Sequence, residues 1–353
     1  MAETSSPAAG VAPPSPASAD AARYRVADRA PGRWSERLLA WNTILVLLLA
    51  AVVAVNATLS PYFLDVYNLS DATFNFSEKA IVALAMALLI LVREIDLSVA
   101  ATMALASLAM GFAAEAGAPP ALLVAVGLGV GLACGAVNGA LVTGFGLPSI
   151  VVTIGTMSLF RGIAQVILGD QAITRYPPAF QAIGQGYVLD WPPVPVSLAL
   201  FLGIAAVTGV VLARTPFGRR LYAIGNNPVA ARFSGIRVDR IRFLLFLLAG
   251  LAAGLASVLL TARIGSTRPN IALGWELEIV TMVVLGGVSI AGGSGSILGV
   301  VLAVFVLGLA TFGLTLVNVP GIVINIALGL LLVVAIATPI VIRRLMPGLA
   351  QRS

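Results

Sequence analysis

Apolar runs of about 18 residues or more recur along this chain, and they limit its possible folds more than any other feature. Each is long enough to cross the roughly 30 Å hydrocarbon layer of a bilayer as a helix. Ten spans are expected, at residues 38–56, 69–92, 97–114, 120–143, 148–168, 196–213, 243–262, 278–291, 296–317 and 322–342, the eighth of them short and glycine-ended. The fold class this implies is an all-α polytopic membrane protein. Composition agrees: only 10% of residues are charged and 59% are apolar, whereas a soluble domain has about a quarter of its residues charged.

The arrangement of charge tests the count. With the N-terminus inside, the inner segments are the N-terminal tail, Arg93, the 214–242 loop and the C-terminal Arg343, Arg344 and Arg352. Together they hold 16 of the 21 Lys and Arg, the asymmetry that the positive-inside rule requires. Both termini are therefore expected in the cytoplasm. Residues 1–36, rich in Ala, Pro and Ser and then basic, read as a disordered cytoplasmic tail without the apolar core of a cleavable signal peptide. Residues 37–344 form the transmembrane domain, and 345–353 a short cytoplasmic tail. Five spans lie on each side of the outer segment 169–195, so the two halves should have opposite orientation, an inverted arrangement common in transporters.

Several function classes drop out. The net charge of +6 gathers at membrane edges, which gives no continuous surface for nucleic acid. The chain has no histidine, and Cys134 is the only cysteine. That leaves no intrachain disulfide and no N/S metal site. No cluster of catalytic groups occurs at one depth, so no catalytic residue is assigned. A P-loop needs G-x-x-x-x-G-K-[ST], yet Lys79 is the only lysine, and Ala80 follows it with no glycine lead-in. If ATP drives this protein, another polypeptide binds it.

The longest polar interruption, Arg214–Arg242, holds seven arginines against Asp239. Within it lies a short helix with both ends marked: Asn227 as N-cap, Pro228 at the first helical position, and Gly235 able to close the C-terminus. Val229 and Phe233 fall one turn apart on one face, and about two turns of helix are unstable alone in water. Either the turn rests on anionic lipid, which its arginines favour, or it plugs a groove on a partner protein.

Other polar positions leave more than one reading each. Asp96 and Ser98 open the third span, where Asp96 could cap the helix or serve a gate. Thr153, Thr156, Ser158 and Arg161 could line a solute path, or the hydroxyls could bond carbonyls of the preceding turn. Glu78 and Lys79 lie inside the second span and cannot face one another. They could snorkel to the membrane edge, pair with a neighbouring helix or, in an ion-coupled carrier, belong to a proton or sodium path. The glycine-rich stretch 286–299 suits close helix packing or a broken helix better than a phosphate loop.

Four segments carry a family resemblance: EIDLSVAATMAL (94–105), LPSIVVTIGTMSLFRGIA (147–164), TPFGRRLYAIGNNPVAARFSGI (215–236) and ELEIVTMVVLGGVSIAGGSGSILGVVLAVFVLG (276–308). In order and spacing the chain resembles the permease subunits of bacterial ABC sugar importers of the ribose, xylose and rhamnose type, which are related to autoinducer-2 importer permeases. It departs at Arg93–Glu94, at Ala100–Ala101 and at Asn226, which replaces the second glycine of a G-G-N run. The resemblance implies an ABC importer permease fold in the bacterial inner membrane, paired with a second copy or paralogue. It implies two further partners: an ATP-binding subunit carrying ATP and Mg, and a periplasmic sugar-binding protein. No cofactor is bound by this chain. Asn226, Asn227, Pro228, Val229, Ala230, Ala231, Arg232, Phe233, Ser234 and Gly235 would form the ATPase-coupling element. The substrate would be a monosaccharide, with autoinducer-2 or another small polar solute as the alternative.

Overall fold

The computed structural model describes residues 41–327, 329, 330 and 333. The expected N-terminal tail (1–36), the C-terminal tail (345–353) and most of the span at 322–342 lie outside these residues.

The chain is built on two long antiparallel helices. One is α2 (Val66–Leu91), which follows α1 (Trp41–Leu59); the other is α10 (Val238–Ile264). Asp65 starts α2 by accepting from the backbone N–H of Tyr67 and Asn68, at 3.0 and 3.1 Å. Two ion pairs set the direction of these helices. Arg263 Nε lies 2.7 Å from Glu78 Oε1, and Arg242 Nε lies 3.0 Å from Glu94 Oε1 just past the end of α2. Position numbers rise along one helix and fall along the other, so α2 and α10 run opposite ways. Around this pair stand α3 (Val99–Glu115), α4 (Pro120–Gly144), α5 (Ser149–Leu168), α7 (Val196–Arg214), α11 (Trp275–Leu285) and α12 (Ile297–Leu316). Among the described residues seven helices, α1, α2, α4, α5, α7, α10 and α12, are long and apolar enough to span a membrane. With 17 residues, α3 falls just short of that length, and α11 has 11.

Hydrophobic burial cannot hold helices together in lipid, so close packing and polar bonds must. On α4, Gly127, Gly131 and Gly135 recur every four residues and face Gly250 and Gly254 of α10. A Cβ on Gly250 would overlap the carbonyl oxygen of Gly131, and one on Gly131 would overlap that of Gly250. Between α3 and α10 runs a ladder of hydroxyls. Ser257 Oγ donates to Met103 O at 2.7 Å, and one turn on Thr261 Oγ1 donates to Ser107 Oγ at 2.8 Å. Replacing Gly250 with leucine is expected to force α4 and α10 apart, destabilising the protein by about 3 kcal/mol or more. Melting of the detergent-purified variant would show it. Gly203→Leu is the control, because an added Cβ there meets nothing within 4 Å.

At the end away from the arginine-rich loop, residues 169–195 form a small cap. It contains α6 (Pro178–Gln185) and an antiparallel pair, β1 (Tyr187–Leu189) and β2 (Val194–Pro195), a minor exception to an all-helical chain. Tyr176 anchors this cap, its hydroxyl 2.6 Å from Thr267 Oγ1. Burial pushes that phenol up to about 12. Ile173 and Thr267 also exchange both backbone bonds, at 3.1 and 2.8 Å.

The eighth expected span is displaced. Its helix runs Trp275–Leu285, starting before the expected 278, with Glu276 and Glu278 in its first turn at the edge of the span. Beyond Leu285 the glycine-rich stretch leaves the helix, with Gly287, Gly292 and Gly293 at positive φ. It is a broken segment, as its composition suggested.

Candidate coupling site

Beyond α7 the arginine-rich loop folds into two helices. Thr215 caps α8 (Pro216–Asn226), its hydroxyl oxygen accepting from Gly218 N at 3.3 Å with Pro216 at the first position. Gly218, Leu221, Ile224 and Gly225 are buried along one face, the spacing of an amphipathic helix laid on a surface. Tyr222 donates its hydroxyl to Gly295 O at 2.8 Å.

Next comes α9 (Pro228–Phe233), one residue shorter than the helix expected at 228–234. Its caps are those the sequence marks. Asn227 Oδ1 accepts from Val229 N and Ala230 N, both at 3.0 Å. At the other end Gly235 has φ 81°, its N–H bonds Arg232 O, and Ile236 N–H bonds Ala231 O. That pair of bonds is a Schellman closure. Ala231 faces inward and is buried. Val229 is 60% exposed and Phe233 is 90% exposed. A ring that free of its own protein gains nothing from folding, and α9 presents it at a fixed angle. Arg232 pairs with Asp239 at 2.5 Å, which ties α9 to the start of α10.

The base of this projection is fastened to the end of α2. Arg93, at φ 68°, donates from Nε to Gly225 O at 2.6 Å and from Nη2 to Asn226 O at 2.8 Å. These are carbonyls of the last turn of α8, where the helix dipole favours a cation. A Cβ on Gly225 would overlap Leu91 O, so only glycine lets α8 come so near α2. Gly293 N–H bonds Leu91 O at 2.9 Å, and Asn226 Nδ2 donates to Tyr222 O at 2.9 Å. The ends of α2 and α8 and the broken 286–296 segment thus meet at one point beneath α9.

The path candidates separate into two groups. Asp96, Ser98, Thr153 and Thr156 are buried inside the protein. Asp96 does not cap α3 through the first-turn N–H groups: the helix starts at Val99, and Asp96 Oδ1 accepts from Ser98 N at 2.9 Å and from Ser98 Oγ at 2.6 Å. Asn138 Nδ2 reaches Ser98 Oγ at 2.7 Å and the carboxylate at 3.3 and 3.4 Å. Burial pushes the Asp96 carboxyl up, against the opposing pull of its Ser98 and Asn138 bonds. Thr153 Oγ1 faces Ile95 O and Ile150 O at 3.4 and 3.5 Å, and Thr156 Oγ1 faces Thr153 O at 3.4 Å. These hydroxyls bond carbonyls. Ser158, on the other side of α5, is exposed. Glu78 and Lys79 pair with different helices: Lys79 Nζ lies 2.6 Å from Glu278 Oε2 and 4.6 Å from the centre of the Trp275 ring.

A family model described as branched-chain amino acid transport system / permease component matches residues 68–336. The chain belongs to that family. This permease is 34% identical over 304 residues to the autoinducer 2 import system permease protein LsrD of Enterobacter sp. (strain 638), covering 84% of this chain and 92% of that protein. It is 34% identical to the ribose import permease protein RbsC of Bacillus subtilis (strain 168), covering 81% and 88%. To the fructose import permease protein FrcC of Rhizobium meliloti it is 33% identical, covering 83% of each. No solved structure matches it. The permease is thus a transport component that crosses the membrane several times.

Sequence reasoning missed α8 and the socket beneath it. The Thr215–Pro216 start and the Leu221–Ile224 spacing were a usable signal for the helix. Nothing local marked Arg93 as its partner, since 132 positions separate it from Gly225.

Proposed function

We propose that this permease is the membrane-spanning subunit of an ATP-driven ABC importer for a monosaccharide of the ribose, xylose or rhamnose kind. A binding protein delivers the sugar to the outer face. A second permease copy or paralogue completes the path, and an ATP-binding subunit with Mg supplies the stroke. The chain then lies in a bacterial inner membrane with ten spans in inverted halves and both termini in the cytoplasm; the antiparallel course of α2 and α10 supports that inversion. The observation that carries the reading is Phe233, held out to 90% exposure on a doubly capped helix whose base is fastened to α2. An exposed aromatic on a rigid mount is a docking group, and α9 is where a partner's motion enters. The pairing of Glu78 with Arg263 and of Lys79 with Glu278 supports a structural role for both and speaks against an ion-coupled path. The relative named for autoinducer 2 import favours one second reading, that solute as substrate on the same mechanism.

In liposomes the chain alone is expected to hydrolyse no nucleotide and concentrate no sugar. With its ATP-binding subunit and binding protein it should take up at least one of ribose, xylose and rhamnose when ATP is present. ATPase activity or solute accumulation by the lone chain would refute the mechanism. Transport of autoinducer 2 with no response to the three sugars would move the substrate class.

A further inference from the structure

At the end of the protein away from α9, a cavity of about 550 Å³ opens between two short segments, Gly169–Ala172 after α5 and Arg268–Asn270 after α10. Small-molecule sites span roughly 300–1,000 Å³, so the size is sufficient. The lining is distinctive. Gln165, Asp170, Gln171, Arg268 and Asn270 all face the cavity, and none of these five side chains bonds another group among the described residues. In a second polar cavity, between α2, α11 and α12, the charges are already spent on one another: Lys79 on Glu278, and Arg263 on Glu78.

The two walls are also held in place. Ile173 and Thr267 pair at the foot of the cavity through both backbone bonds. Arg161 Nη1 reaches from α5 to Pro269 O at 3.0 Å and to Ile271 O at 2.7 Å. Arg161, a path candidate from sequence, thus positions one wall of the cavity and leaves its lining free. Amides, a carboxylate and a guanidinium are planar groups with paired donors or acceptors. Each can bridge two adjacent hydroxyls of a polyol, while the mixed charge suits an uncharged ligand better than an anion or a cation.

The geometry points to this cavity as a binding subsite for a small, uncharged, polyhydroxylated solute, at the mouth where the solute enters the permease. The inference rests on the importer reading for its direction and deepens it by placing the first contact.

The test uses the full chain in lipid nanodiscs, with ribose, xylose and rhamnose observed by ligand-detected NMR. Weak binding of at least one sugar is expected, reduced about tenfold or more in Asp170→Leu and in Arg268→Leu, since each loses a charged hydrogen-bonding partner. Asn270→Leu should lose less. All three positions are exposed, so folding should be unaffected, and unchanged melting would confirm it. In the assembled importer the same variants should raise the sugar concentration for half-maximal uptake. Binding and uptake both unchanged in the variants would overturn the inference while leaving the importer intact. So would variants that weaken only the binding protein's docking with sugar binding unaltered, since the cavity would then be a protein contact. If the nanodisc chain binds sugar as expected but the complex transports none, the importer reading fails and the subsite stands.

Discussion

Phe233→Asp is expected to leave the permease folded and in the membrane while abolishing ATP-driven uptake. The ring is 90% exposed and α9 is closed by Asn227 and Gly235, not by Phe233, so removing it costs this chain almost nothing. The loss falls on the complex. An aromatic anchor at the centre of an interface contributes roughly 2–4 kcal/mol, about 30- to 1,000-fold in affinity. A carboxylate in the same groove adds an unpaired charge to be desolvated. The ATP-binding subunit should co-purify poorly with the variant, and uptake should fall in step. Val229→Ala, which trims a neighbour exposed to 60%, should give the same effect at smaller size. Wild-type uptake by Phe233→Asp would remove α9 from the coupling path. If the helix instead rested on lipid, the variant would keep its ATP-binding subunit.

What the sequence disclosed and what it hid divide along a physical line. That long apolar spans would form was legible because hydrocarbon thickness sets a minimum length, and the α9 caps were legible because capping is local chemistry. Span edges were less so. α10 begins at Val238, five residues before the expected start at 243, because Asp239 and Arg242 find partners in Arg232 and Glu94 and can be carried into the helix. The same holds at α11, where Lys79 receives Glu278 and the helix starts at Trp275. Such partners lie far apart in the chain: Glu78 and Arg263 are 185 positions apart, and no single-chain pattern joins them. Glycines four positions apart on α4, and again at Gly250 and Gly254 on α10, carry a usable signal of close helix approach that went unread. Nothing local says that the two sets face each other. For the path candidates, residue types were legible but the direction of each side chain was not. Only the packing separates the buried Thr153 and Thr156 from the exposed Ser158.

Arg93 decides whether docking becomes motion. Its two bonds to Gly225 O and Asn226 O are the charged part of the tie between α8 and α2, and each such bond is worth about 1.5–3 kcal/mol. Arg93→Gly is the informative change. Glycine adopts the left-handed backbone of position 93 (φ 68°) without the roughly 1–2 kcal/mol that a side chain pays there. The fold therefore recovers part of what it loses, while the guanidinium is gone. The expected phenotype differs from that of Phe233→Asp. The ATP-binding subunit should still assemble, because α9 and its exposed ring are untouched, and it should still hydrolyse ATP. Sugar moved per ATP should drop about tenfold or more, since α8 can then shift without pulling the end of α2. Arg93→Lys should fall between, because an ammonium is a point charge and cannot fork both carbonyls as a guanidinium does. An unchanged ratio of sugar to ATP in Arg93→Gly would mean that force enters the membrane helices elsewhere. One such route is Arg232–Asp239 into α10, and if force runs there Asp239→Asn should carry the uncoupled phenotype.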